Sequence, residues 1–313
     1  MNSKKKSFTT RKWGFGSNIV NFIKIAFYCD HHRLALNLQD KNNTIGDGFS
    51  LFSVVNLPPF INLISGDVVL PIENYKTLIK YILFDNSAPL KKLKYAVWYC
   101  VGYKREIFLT KFNSDKSVNS FFTNNYRQFL GKDFLKYWQY TDKTLSVFRE
   151  YDHNFGLESF IPDISIQIRG GDKLLELSEM GFQNSFIEEY LEAAVVAIDK
   201  CQSPTPNLYI MTDTYSYYTF LRDRLSMLYP ALKIKSLASE NQEGYSQDKF
   251  DMLDKQIKID AYYLFLYELE KLRLASTCIG SYTSNIYYLA SLIKYNGHSV
   301  FMHVGKNLEE VYL

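Results

Sequence analysis

Cysteine is sparse in this chain. Cys29, Cys100, Cys201 and Cys278 lie far apart in apolar surroundings, with no C-x-x-C pair and no His/Cys cluster at metal-ligand spacing. Neither a zinc module nor a disulfide framework is encoded, and buried, reduced thiols in a cytosolic compartment are expected. An excess of either charge is also missing. Lys and Arg number 36 against 33 Asp and Glu, a net +3, which provides no concentrated basic face for nucleic acid. The Lys4–Lys6 run reads as a solvated tail. No apolar run reaches the roughly 18 residues of a membrane span, and no signal-peptide apolar region opens the chain. A cytoplasmic protein without a transmembrane anchor is expected. Two nucleotide motifs are absent as well. Gly14-Phe15-Gly16 is not a G-x-G-x-x-G and has no acidic residue at dinucleotide spacing behind it, and no G-x-x-x-x-G-K-[ST] loop occurs.

What is present describes a globular protein: 47% hydrophobic and 22% charged residues over 313 positions, enough for one large or two ordinary domains. The 25 Tyr and 23 Phe read first as core and groove lining. In the first half, Ile19, Phe22, Ile23, Ala26 and Phe27 repeat at helical spacing, with Ser17 or Asn18 as cap, and a strand follows over Arg33–Leu38. After TIGDGFSLF and Pro58-Pro59 come strand-like VVLPI and VWYCVGY, then helical pieces from about 117 to 150. The second half alternates strands (164–169, 207–213, 231–237, 277–281, 298–304) with helices (186–201, 217–229, 260–275, 284–295). That alternation indicates βαβ units and a Rossmann-like parallel sheet. The polar, unpatterned stretch 152–163 separates an N-terminal α/β domain, 1–152, from this second domain, 153–313.

Ligands of open α/β sheets bind beyond the carboxyl ends of the strands. Residues 164–176, ISIQIRGGDKLLE, place Arg169, Gly170, Gly171, Asp172 and Lys173 at such an end. Thr212-Asp213 and Ser281 to Asn285 stand at two more. The glycines would let backbone approach a ligand, Arg169 can fork onto phosphate oxygens, and Ser284 opens a helix whose amides suit an anion. Together they form a cradle for a diphosphate. The competing reading is a surface corner with a solvated Arg–Asp pair. His31 and His32 read as structural at a helix end, and His153, His298 and His303 show no partner pattern. Tyr262-Tyr263 and Tyr287-Tyr288 fit core packing or a pocket wall.

QIRGGDK, followed by an acidic residue, resembles the HxRRxDK…E motif of the α1,6-fucosyltransferases and their Nod-factor relatives, within the wider α1,2 and protein-O-fucosyltransferase set. Other landmarks recur in order. GFGSNIVNFIKIAFYCDHHRLALNLQ resembles the family's glycine-loop block and GDGFSLFSVV its GGWExxFxPV segment. YIMTDT resembles the ATDD strand end, IKIDAYYLF the LDIHFL helix, GSYTSNIYYLA the TFSSQVxRxA segment, and HVGKNLEEVYL the SLDDIYYFG ending. The resemblance implies a two-domain, GT-B-like glycosyltransferase whose Rossmann-like domain binds the nucleotide sugar. It implies donor contacts from Gly14, Gly16, Gln167, Arg169, Asp213, Asp260, Ser281 and Ser284, with Lys173 matching the motif lysine. Gln167 replaces the motif histidine, Gly170 the second arginine, and Thr214 the second aspartate of ATDD. The place of the catalytic glutamate is Leu177, with Glu176 one residue before it and Glu179 two after.

The implied reaction is inverting transfer of fucose from GDP-fucose to a glycan hydroxyl. Glu176 or Glu179 is the base, and Arg169 with Lys173 stabilises the departing diphosphate. No metal or other cofactor is expected; the partners are a nucleotide sugar and a glycan acceptor, while acceptor, linkage and oligomeric state stay open. The alternatives are a different nucleotide-sugar donor, which the lost His and Arg permit, and a catalytically inactive sugar-nucleotide or glycan-binding protein.

Overall fold

In ISIQIR every second residue is isoleucine, and that alternation divides the second half of the molecule into two layers. The computed structural model describes residues 5–9, 14–40, 45, 49–59, 61–63, 137–171, 186–281, 284–293, 300–304 and 309–312. The expected strands in VVLPI and VWYCVGY, the helical stretch from 117 to 136, and Cys100 lie outside them.

The first sheet is parallel, in the order β1 (Lys5–Thr9), β2 (Ala35–Gln39), β3 (Ile61–Leu63). Lys5 and Lys6, expected in a solvated tail, belong to β1, where Phe8 anchors the strand in the core at 2% exposure. Helix α1 (Phe15–His31) connects β1 to β2 and buries the expected stripe from Ile19 to Phe27. Its cap is Gly14, without a side-chain cap bond, so Ser17 and Asn18 lie inside the helix, where Asn18 is buried and Ser17 Oγ accepts from Asn285. The strand after it starts at Ala35 because Arg33 takes a left-handed turn, φ 52°, out of the helix.

Helix α2 (Asp142–Phe155) runs through the expected boundary at 152/153 and stops at Gly156, φ 60°. Thr141 caps it, accepting from the Thr144 amide at 3.3 Å.

The second sheet contains β4 (Ile164–Ile168), β5 (Asn207–Thr212), β6 (Lys233–Lys235), β7 (Thr277–Gly280), β8 (Val300–His303) and β9 (Glu309–Tyr312), in the order β6-β5-β4-β7-β8-β9. All are parallel except β9. Counted from β4 the order is 3-2-1-4-5-6, that of a dinucleotide-type doubly wound sheet, and it reverses between β4 and β7. The connections are helices α3 (Phe186–Asp199), α4 (Tyr215–Leu228), α5 (Gln247–Asp251), α6 (Lys255–Leu274) and α7 (Asn285–Ile293). Among the described residues no helix is long and apolar enough to cross a membrane.

Ile164, Ile166, Ile168, Leu208 and Ile210 pack with residues of α3 and α4 in one core. The period of two turns Tyr209 and Met211 to the opposite face, into a second core with α6 and α7. That second core is continuous with the first sheet, because α1 shares it. Cys29 and Cys278 are buried there as expected, and Cys201 is half-buried after α3. Asp152 ties α2 to α6, its Oδ1 accepting from Lys271 Nζ at 2.6 Å and from the Tyr267 hydroxyl at 2.7 Å.

Helix α7 lies unusually close to β7. A Cβ at Gly280 would stand 2.3 Å from the ring of Tyr287, whose hydroxyl donates to the Met302 carbonyl at 3.1 Å. This close seat brings the first turn of α7 to the end of the sheet. Gly280→Ala should therefore destabilise the fold by ~1–3 kcal/mol, measurable by urea denaturation, and Tyr287→Leu in the same chain should recover part of that loss.

Candidate functional site

Strand parity aims the polar residues of β4 and β5 at one place. With the isoleucines of β4 turned to one core, Ser165, Gln167 and Arg169 face the side covered by α6, and Ser165 Oγ donates to the Leu272 carbonyl there at 3.3 Å. On β5 the same parity presents Met211 and, just past the strand, Asp213. Beyond these strand ends lies a cavity of about 220 Å³, closed by α6, the first turns of α1 and α7, and the loop before α5.

The cavity's frame hangs on Asp213. Its Oδ1 accepts from the Gly170 amide at 2.6 Å and the Thr214 hydroxyl at 3.1 Å, and its Oδ2 accepts from the Tyr245 amide at 3.1 Å. The Asp213 carbonyl accepts from the Gly244 amide at 2.7 Å. Three chain segments thus meet at one residue, and they meet tightly. A Cβ at Gly170 would stand 2.2 Å from Thr214 Oγ1. One at Gly171, φ 57°, would stand 2.2 Å from the Tyr245 carbonyl oxygen, and one at Gly244, φ 98°, 2.6 Å from the Gly171 Cα. The expectation that the glycine pair admits a ligand is corrected here: the pair admits Thr214 and the 244–245 backbone. Two of the departures from the family motif, Gly170 and Thr214, are in contact with each other.

Arg169 stands above the Tyr245 ring, its guanidinium carbon 5.1 Å from the centroid, within cation–π range. Tyr245 continues into an aromatic wall. Its ring lies 5.7 Å from Phe250, Phe250 lies 5.4 Å edge-on from Phe15, and Phe15 lies 5.8 Å from Phe265.

Through Phe265 the wall joins the lining stripe of α6, Ala261, Leu264, Phe265 and Glu268, at i, i+3, i+4 and i+7. Glu268 is the one acid on that stripe. Desolvation by the surrounding side chains pushes its carboxyl up to about 8, and neighbouring Asp213 adds to the rise, while a hydrogen bond from the Tyr209 hydroxyl at 3.2 Å opposes it. Gln167 is 2% exposed and lines the cavity, and its Oε1 has no hydrogen-bond partner among the described residues.

At the mouth, two helix N-termini converge. Gly16 on α1 packs against Asn285 and Ile286 of α7, where a Cβ would stand in ordinary van der Waals contact at 3.6 Å, and Asn285 Nδ2 donates to Ser17 Oγ at 2.7 Å.

Of the residues named from sequence, Gly14, Gly16, Gln167, Arg169 and Asp213 line the cavity. Ser284 does not: it is buried and caps α7, its hydroxyl accepting from the Tyr287 amide at 3.4 Å. Ser281 is also buried outside the lining, and its carbonyl accepts from the Ser284 amide. Asp260 is exposed on α6, accepting from Gln256 Nε2 at 2.8 Å. Lys173, Glu176 and Glu179 lie outside the described residues. Sequence reasoning missed Glu268, although an acid on an otherwise apolar helical stripe was a legible signal. It also missed Tyr245, which nothing local distinguishes. Among the described residues no group of three or more His, Cys, Asp or Glu could hold a metal ion.

No protein-family model matches the sequence, and no curated protein does. Solved structures do match in fold. The fucosyltransferase NodZ from Bradyrhizobium is 12% identical with a TM-score of 0.53, over 100% of this chain and 99% of that one. A NodZ α-1,6-fucosyltransferase crystal soaked with GDP-fucose is 11% identical with a TM-score of 0.51, over 99% of each. A mutant of Arabidopsis thaliana FUT1 in complex with GDP is 12% identical with a TM-score of 0.50, over 98% of this chain and 72% of that one. The chain therefore has the two-domain, GT-B-like α/β fold of these fucosyltransferases.

Glu268 generates a stability prediction. A carboxyl raised from 4.5 to about 8 favours the neutral form in the folded state. Its penalty is absent below the unfolded value and grows, by up to ~1.4 kcal/mol per pH unit, as pH rises toward the folded value. Glu268→Gln should be the more tolerant of pH between about 4.5 and 8 in denaturation series. Parallel curves for the two proteins would show that the carboxyl is not held neutral.

Proposed function

We propose that the chain is an inverting glycosyltransferase that moves fucose from GDP-fucose to a glycan hydroxyl. The observation that carries the reading is the pairing of Arg169 and Glu268 across one cavity at the topological switch point. One group suits a diphosphate and the other a nucleobase edge. The fold is shared with a NodZ crystal soaked with GDP-fucose and an Arabidopsis FUT1 mutant holding GDP, which supports the donor's identity.

In this reading the domain of residues 153–313 holds the donor and that of residues 1–152 faces the acceptor. The guanine lies against the Phe15 and Phe265 end of the aromatic wall, away from Tyr245. Glu268, neutral in the free protein, gives up its proton to solvent as the base binds and accepts from its N1–H and exocyclic amino group, a match uracil does not offer. The role that the sequence resemblance implied for Asp260 passes to Glu268, one face of α6 away. Gln167 Oε1, buried and lining the same cavity, supplies an acceptor for a donor hydroxyl or amino group. Arg169 and the first-turn amides of α1 and α7 meet the pyrophosphate, where helix dipoles and a forked guanidinium favour negative charge.

Transfer is a single displacement. The acceptor oxygen attacks the anomeric carbon as the bond to the β-phosphate oxygen breaks, inverting the centre. The acceptor proton passes to Glu176 or Glu179, and GDP leaves as an anion stabilised by Arg169 and Lys173. That stabilisation comes from the protein's own cations and dipoles, so the reading is metal-independent.

Thermal shift and calorimetry with GDP, GDP-fucose, UDP and UDP-sugars test it. GDP and GDP-fucose should stabilise the protein with or without a chelator, by ~2.7 kcal/mol at 100 times the dissociation constant. Arg169→Ala should weaken GDP binding roughly 10- to 100-fold, as expected for a lost charged hydrogen-bonding partner. One of Glu176→Ala and Glu179→Ala should abolish transfer and keep donor binding. Preference for UDP would overturn the fucose assignment, and binding without turnover under any acceptor would support an inactive sugar-nucleotide-binding protein instead.

A further inference from the structure

We propose that Tyr245 is a positioning residue for Arg169, and that the segment from 242 to 245 exists to hold the arginine's guanidinium against the diphosphate. The proposal rests on the reading of the cavity as a sugar-nucleotide site.

The tyrosine is fixed from several sides. Its amide is held by Asp213 Oδ2 at 3.1 Å, and its hydroxyl donates to Gln247 Oε1 at 2.8 Å. Its ring rests near Phe250, with centroids 5.7 Å apart. The segment before it is pinned to the start of α4: the Tyr215 amide donates to the Gln242 carbonyl at 2.8 Å, and Thr214 and Glu243 form an antiparallel bridge. Gly244, at φ 98°, lets this segment lie directly on Gly171, so the platform is packed against the arginine's own loop.

Over this platform stands Arg169, 5.1 Å from the ring centroid. A guanidinium held over a ring is restrained in position, while its N–H donors remain to meet carboxylate or phosphate oxygens. An arginine side chain otherwise surrenders much rotamer freedom when it grips an anion, and a stack made in advance lowers that loss. The same carboxylate, Asp213, holds the Gly170 amide next to the arginine and the Tyr245 amide beneath it. Ring and guanidinium are thereby set from one point.

The test compares Tyr245→Leu and Tyr245→Phe. In titration calorimetry, Tyr245→Leu should weaken GDP binding about 3- to 20-fold, the range of a partly desolvated cation–π contact, and change guanosine binding less than twofold. Tyr245→Phe keeps the ring and should restore most of the GDP affinity. In an Arg169→Met background the leucine substitution should add nothing further. Equal losses for GDP and guanosine would overturn the proposal by making Tyr245 a general support, and a phenylalanine variant as weak as leucine would place the effect in the hydroxyl. Urea denaturation of the unligated single and double variants gives an independent arm. Non-additive midpoint shifts support the stack, and additive shifts overturn it. If the native protein binds no nucleotide while the coupling persists, the sugar-nucleotide reading itself falls, and the phosphate role of Tyr245 with it.

Discussion

A single carboxylate, that of Asp213, fixes the geometry from which the rest of the site follows. It gathers the end of β4, the start of α4 and the loop before α5 through three hydrogen bonds, two of them from backbone amides of Gly170 and Tyr245. Bonds of this kind to a charged acceptor contribute ~1.5–3 kcal/mol each. They also leave little of the carboxylate's capacity for a ligand, so Asp213 serves the site as a frame. The glycines follow from the frame. With the loops drawn together this closely, no side chain fits at Gly170, Gly171 or Gly244.

The two sheets are joined by a continuous apolar core in place of a thin hinge. Helix α1 lies in it with α6 and α7, Phe15 reaches the cavity wall, and the Tyr262 hydroxyl of α6 donates to the Leu51 carbonyl at 2.6 Å. The abundance of Tyr and Phe makes sense in this light. Aromatic rings fill the broad space between two parallel sheets and then continue, without a break, into the lining of the cleft. Core and site share the same material, so packing errors in α1 or α7 propagate to the cavity mouth where Ser17 and Asn285 meet.

Much of this was legible in the sequence. The strand–helix alternation of the second half, the strand end at Arg169 and its companion at Asp213 rest on periodicities of two and 3.6, which are local. The same alternation in ISIQIR already put Gln167 and Arg169 on one face. What escaped reading depends on contacts between distant segments. The glycine pair was assigned to a ligand because Thr214 and Gly244, over 40 residues on, are invisible from the local pattern. Asp260 drew the motif match although it lies one position off the lining stripe, and Glu268 on the stripe passed unnoticed. Ser17 looked like a cap because it is a serine before an apolar run; its hydroxyl instead accepts from Asn285.

A crystal structure of the protein grown with GDP tests the central claim most directly. The account predicts the diphosphate at the ends of β4 and β5, a phosphate oxygen ~2.7–2.9 Å from an Arg169 nitrogen, and the guanine edge against the Glu268 carboxyl. A nucleotide seated with its phosphates remote from Arg169, or a cavity that stays empty at saturating GDP, would contradict it.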